Sequence, residues 1–222
     1  MTDSPLKLVV FDCDGTLVDS QHNIIQCMEL AFHSNGLQKP SPHNIRGIIG
    51  LNLDQAVYEL LPDKDNRDLW SKVVDTYKQA FFDQRQLPDH EEPLYEGAKE
   101  ALEKLHERNI LMAVATGKSL RGLNAVVERH GLEKYFTSLQ TPDHNPGKPH
   151  PQMLHSAMDA VGADPQNTFM IGDTSFDMQL AKNAGCIGVG VNWGYHETSH
   201  LKESGADHLI NSFPELFPLI SD

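Results

Sequence analysis

Cysteine is scarce: three residues in 222, widely spaced at Cys13, Cys27 and Cys186. They make neither a disulfide framework nor a CxxC metal pair, and a reducing compartment suits them. Basic charge is also short, with 18 Lys and Arg against 31 Asp and Glu, for a formal net charge of −13. That argues against a nucleic-acid binder, which presents a basic face. It does not argue against a small anionic substrate, because local charge can oppose the global sign. No apolar run approaches the ~18 residues that a membrane span needs, and Met1-Thr2-Asp3-Ser4-Pro5 has no basic, apolar leader character. The expected setting is therefore cytoplasmic, with neither membrane nor nucleic acid as partner. Internal repeats and low-complexity tracts are absent too. What is present is 39% hydrophobic and 22% charged residues, the balance of a soluble globular chain long enough for one large domain or two modest ones.

The chain changes pattern along its length. Leu8 to Phe11 is a short apolar strand. Residues ~19 to ~92 read as all-helical: one helix over 20–35, a helix start or loop over 44–50, then helices over 53–61 and 65–86. Residues 87–93 form a polar linker bounded by prolines. From Tyr95 onward helices and strands alternate. Strands fall at 110–115, 136–140, 168–171, 187–191 and 207–210, with helices at 97–107, 119–130, 149–161, 176–184 and 213–220. Uninterrupted apolar strands suit a parallel sheet covered on both faces. The expected fold class is α/β: a doubly wound, parallel-sheet, Rossmann-like core (1–18 and 93–222) with a small α-helical cap (19–92) inserted after the first strand.

Strand ends on such a sheet share one edge, where ligands bind. The first strand runs into Asp12 and Asp14. The 110–115 strand runs into Thr116-Gly117-Lys118, and the 168–171 strand into Gly172-Asp173 with Asp177 beyond. Lys148 opens a helix. Buried carboxylates need compensation. Four aspartates gathered together repel, by about 4 kcal/mol for a pair 4 Å apart at an effective dielectric near 20. One lysine does not offset this and a divalent cation does. All-oxygen ligands shared with phosphate and water favour Mg²⁺. The Thr116 hydroxyl and the Gly117 and Lys118 amides, opening a helix, offer donors to phosphate. The set suits phosphoryl transfer, with Asp12 as nucleophile and Asp14 as general acid and base.

The run Asp12-Cys13-Asp14-Gly15-Thr16 resembles the first motif of the haloacid dehalogenase superfamily. Thr116, Lys148 and Asp173 with Asp177 resemble its second, third and fourth motifs in order. The resemblance implies that Asp12, the backbone carbonyl of Asp14, and Asp173 ligate Mg²⁺, with Asp177 in or near the shell. It implies that Thr116 and Lys148 hold phosphate. The helical insert resembles the cap of the subgroup with phosphoglycolate phosphatase and beta-phosphoglucomutase, and Gly15 to Ser20 and Lys148-Pro149 look closest to the phosphoglycolate phosphatase-like members. The expectation is a phosphatase acting on a small, phosphoglycolate-like phosphorylated metabolite through an aspartyl-phosphate, as a monomer or homodimer. By the same resemblance Arg46 and Asn52 face the active site from the cap, Arg46 toward a substrate carboxylate. A phosphomutase of the beta-phosphoglucomutase type, a phospho-aspartate receiver and a degenerate binding protein are the alternatives. Lys118 reads as a first-turn helix residue, and Trp193-Gly194-Tyr195 as packing.

Overall fold

The computed structural model describes residues 6–88 and 90–221. Six strands form one parallel sheet: β1 (Leu8–Phe11), β2 (Leu111–Ala115), β3 (Ser138–Gln140), β4 (Thr168–Gly172), β5 (Ile187–Val191) and β6 (His208–Ile210). Their order is β3-β2-β1-β4-β5-β6, so the chain winds outward from β1 in both directions. This is a Rossmann-like α/β sheet. Phe11 pairs in register with Val114 on one side and with Ile171 on the other.

Alternation along the strands splits the core in two, because successive side chains leave a strand on opposite faces. Val9, Phe11, Val114 and Ile171 pack against α5 (Ala98–Glu107), α6 (Leu120–His130) and the terminal α10 (Leu216–Ser221). Leu8, Val10, Ala113 and Met170 pack on the other face against α7 (Gln152–Asp159) and α8 (Ser175–Ala184). Both faces are covered, which is why the strands are unbroken apolar runs. A short helix α9 (Thr198–Glu203), polar apart from the buried Leu201, lies between β5 and β6 where the sequence showed no apolar period.

Between β1 and α5 come four helices: α1 (Gln21–Ser34), α2 (Pro42–Arg46), α3 (Leu53–Leu60) and α4 (Arg67–Arg85). They close around their own apolar core, which includes Met28, Phe32, Val57, Val73 and Phe81. Asn52 and Asn66 start α3 and α4 by accepting hydrogen bonds from Gln55 N and Leu69 N. The outgoing and returning segments run side by side. Asp19 N donates to Pro93 O at 2.9 Å and Tyr95 N to Leu17 O at 2.9 Å, with Val18 and Leu94 bridged antiparallel. No helix among the described residues is long and apolar enough to cross a membrane.

Candidate active site

The ends of β1, β2 and β4 place Asp12, Thr116 and Asp173 along one edge of the sheet. Ligand atoms from Asp12, Asp173 and Asp177 all lie within 4.8 Å of one another, and all three side chains are buried. Lys148, 1% exposed, puts Nζ 2.8 Å from Asp12 Oδ1 and 2.6 Å from Asp177 Oδ1. Asp177 also caps α8: its Oδ2 accepts from Thr174 N at 3.0 Å and Thr174 Oγ1 at 2.7 Å. Asp173 accepts from Thr16 Oγ1 at 3.0 Å on one oxygen and from Tyr195 N at 2.8 Å on the other. Asp12 differs: Lys148 is its ion partner, and Oδ2 is buried with no hydrogen bond.

One ammonium among three buried carboxylates leaves a surplus of negative charge. Burial pushes the Asp12 carboxyl up from 3.8 to about 7, Asp177 and Asp14 push the same way, and Lys148 opposes them. Asp173 is likewise raised, by burial first and then by Asp12 and Asp177. Burial works to lower Lys148, but Asp12 and Asp177 outweigh it and hold the amine above the ordinary lysine range. An unpartnered buried carboxylate oxygen inside a cluster of hard oxygen donors fits a divalent cation of the Mg²⁺ type.

Glycines let these groups approach. A Cβ at Gly15, where φ is +87°, would lie 2.2 Å from Asp173 Oδ2, and one at Gly194 would lie 2.1 Å from Asp173 Cβ. Gly194→Ala is expected to cost about 1–3 kcal/mol through this overlap. Thermal melting reads it against Gly47→Ala, whose nearest neighbour would be 3.5 Å away. Equal melting temperatures for the two variants would refute the close-approach account.

Asp14 stands apart from the acidic cluster. Its Oδ1 accepts from Ser20 Oγ at 2.5 Å and pairs with Lys118 Nζ at 2.9 Å. Both contacts fall on Oδ1.

Several expectations need correction. Lys118 is not an idle first-turn residue. It precedes α6, which Ser119 caps, and its ammonium bridges Asp14 and Glu92. Burial lowers its pKa, yet Asp14 and Glu92 outweigh this and raise it. The Lys118 amide is not free for phosphate, because it donates to Thr116 Oγ1 at 3.2 Å. Lys148 does not open a helix: α7 begins at Gln152. Arg46 points its Nε at Gln21 Oε1, 2.8 Å away, and does not line the cavity described below, whereas Asn52 does. Trp193 and Tyr195 do more than pack: Trp193 Nε1 donates to Thr16 O, and Tyr195 reaches both Asp173 and Ser20.

Sequence reasoning gave no site role to Ser20 and Glu92, and read Tyr195 as packing. Glu92 is 3% exposed and sits with His90 Nε2 at 3.1 Å, Lys118 Nζ at 3.5 Å and Arg85 at 3.7 Å. Burial raises its carboxyl, but Lys118 and Arg85 overcome this and leave it below the usual range. A cavity of about 830 Å³ opens over Asp12, Asp14, Thr116, Gly117 and Gly147, walled on the other side by the helical insert. The insert touches the sheet edge directly. A Cβ at Gly117 would lie 2.4 Å from Leu51 O, and one at Gly147 would lie 2.4 Å from Asn52 Nδ2.

The structure is a parallel α/β sheet with acidic side chains gathered at one edge beneath a helical insert, the architecture of a hydrolase with an α/β core and a cap. The chain belongs to the haloacid dehalogenase-like hydrolase family, whose model matches residues 9–191. It is 36% identical over 213 residues to a Dickeya dadantii (strain 3937) protein named probable phosphatase IndB, covering 94% of this chain and 91% of that one. It is 30% identical over 225 residues to phosphoglycolate phosphatase from Vibrio parahaemolyticus serotype O3:K6, covering 100% of this chain and 99% of that one. Among solved structures, one named a predicted phosphoglycolate phosphatase from Haemophilus somnus 129pt superposes with a TM-score of 0.84 at 23% identity. It covers 98% of this chain and 99% of that one, and shows the shared fold.

Proposed function

We propose that this enzyme is a Mg²⁺-dependent phosphatase that hydrolyses a small phosphorylated metabolite through an aspartyl-phosphate on Asp12. The observation that carries the reading is the buried Asp12 carboxylate, which has the Lys148 ammonium 2.8 Å from Oδ1 and, among the described residues, no other partner on either oxygen. A nucleophile needs one oxygen free and the group held still. The names of the phosphatase relatives support the reaction class.

In the first step one Asp12 carboxylate oxygen bonds to phosphorus as the bond to the ester oxygen breaks. Asp14 gives its proton from Oδ2 to the departing alkoxide, since Ser20 and Lys118 hold Oδ1. In the second step water attacks the phosphorus and Asp14 takes the proton. Inorganic phosphate leaves and the Asp12 carboxylate is restored. Thr116 and Lys148 hold phosphate oxygens throughout. Asp12, Asp173 and the Asp14 carbonyl would hold Mg²⁺, with Asp177 in or beside the shell. When bound, the ion supplies positive charge against the developing negative charge on the phosphoryl group.

The test is phosphate release from a panel of phosphorylated metabolites with and without Mg²⁺. 2-Phosphoglycolate belongs in the panel because of the relatives' names, and glucose 1-phosphate checks for transfer to a sugar. Release of phosphate that stops on chelation is expected. Conversion of glucose 1-phosphate to another sugar phosphate without release would replace hydrolysis with mutase chemistry.

A further inference from the structure

We infer that the ester hydrolysed at this site carries an apolar, ring-sized alcohol rather than a two-carbon acid. This rests on the phosphatase reading above and narrows its substrate class. The first ground is size. A cavity near 830 Å³ lies in the range of sites that enclose ligands of many heavy atoms. A phosphorylated glycolate would leave most of it filled by water.

The second ground is the chemistry of the walls. The phosphate end is polar, with Asp12, Asp14 and Thr116. The lining contributed by the insert includes Leu51, Tyr77 and Phe82, with Met28, Ile49 and Phe81 of its core behind them. Phe82 is 46% exposed and adds nothing to the insert's own core. An exposed aromatic on the rim of a polar-floored cavity suits contact with an apolar body.

Ethyl phosphate and 2-phenylethyl phosphate separate the cases, because their leaving alcohols are of similar acidity and differ in apolar bulk. With Mg²⁺, kcat/KM is expected to be roughly 10–100-fold higher for 2-phenylethyl phosphate, the return on burying a phenyl-sized surface. Phe82→Ala is expected to lower that ratio several-fold. The ratio is read within one preparation, so the folded fraction cancels. A ratio near or below one, an unchanged ratio in Phe82→Ala, or a preference for 2-phosphoglycolate over both esters overturns the inference. Release from panel metabolites but from neither ester sinks the inference alone. A chain that hydrolyses no ester in either set with Mg²⁺ sinks the phosphatase reading as well.

Discussion

Asp12→Asn is expected to reduce phosphate release by about four orders of magnitude or more, the scale seen when a covalent nucleophile is removed. The reasoning is local. Asn matches Asp in shape, so the packing around position 12 survives. Its amide nitrogen and carbonyl oxygen are poor acceptors for a phosphoryl group, and no neighbour can take over. Asp173 has both oxygens committed to Thr16 and Tyr195, and Asp177 is held by Lys148 and Thr174. The variant is also expected to fold at least as well as the parent without metal, because it removes one buried charge from a cluster that carries an excess. Steady-state release of phosphate and far-UV circular dichroism check the two halves together. Turnover within tenfold of the parent, in a folded variant, would remove Asp12 from the reaction.

The sheet was legible because burial on both faces writes a plain signal: Val9-Val10-Phe11 and Met170-Ile171 are apolar without a break and then stop at acids. A parallel sheet turns that linear fact into a spatial one, since all such ends lie on one edge. That is why Asp12, Asp173 and Asp177 are found together. The surroundings of Asp14 were not legible. Residues 87–93 are polar and bounded by prolines, which reads as a solvated linker. The fold buries Glu92 there, with His130 Nε2 on its backbone carbonyl and Arg129 on that of His90. Only the run of ionisable residues His90, Glu91 and Glu92 hinted at this, and surface linkers carry such runs as well. Arg46 shows the opposite case. A resemblance aimed it at the substrate, whereas its Nε donates to Gln21 Oε1, 25 residues earlier, and it stands outside the cavity lining. Side-chain partners across a cap depend on helix rotation, which neither periodicity nor motif order encodes.

The metal-free protein is expected to lose stability as pH rises, the reverse of what a salt-bridged aspartate does. In the fold Asp12 holds its proton up to about 7, against 3.8 as its reference value, so the native state binds the extra proton between them. A folded-state pKa above the unfolded one stabilises fully below the unfolded value, and the contribution disappears as pH climbs through the folded value. Over the whole interval this amounts to about 4 kcal/mol for Asp12. Asp173 shifts in the same direction and adds to it. Between about pH 5.5 and 8 the accessible part is about 2 kcal/mol, or roughly 4–8 °C in melting temperature for a chain of this size. Melting curves in chelator at the two pH values, for the parent and for Asp12→Asn, read the effect: groups distant from the cluster contribute equally to both, and Asp173, which Asp12 itself raises, shifts less in the variant and widens the difference in the same direction. The parent should fall further than the variant on going to the higher pH, and added Mg²⁺ should close the gap by giving the ionised cluster its counter-charge. Parallel slopes for parent and variant in chelator would show that Asp12 is already ionised at the lower pH, and that Lys148 alone suffices to hold it so.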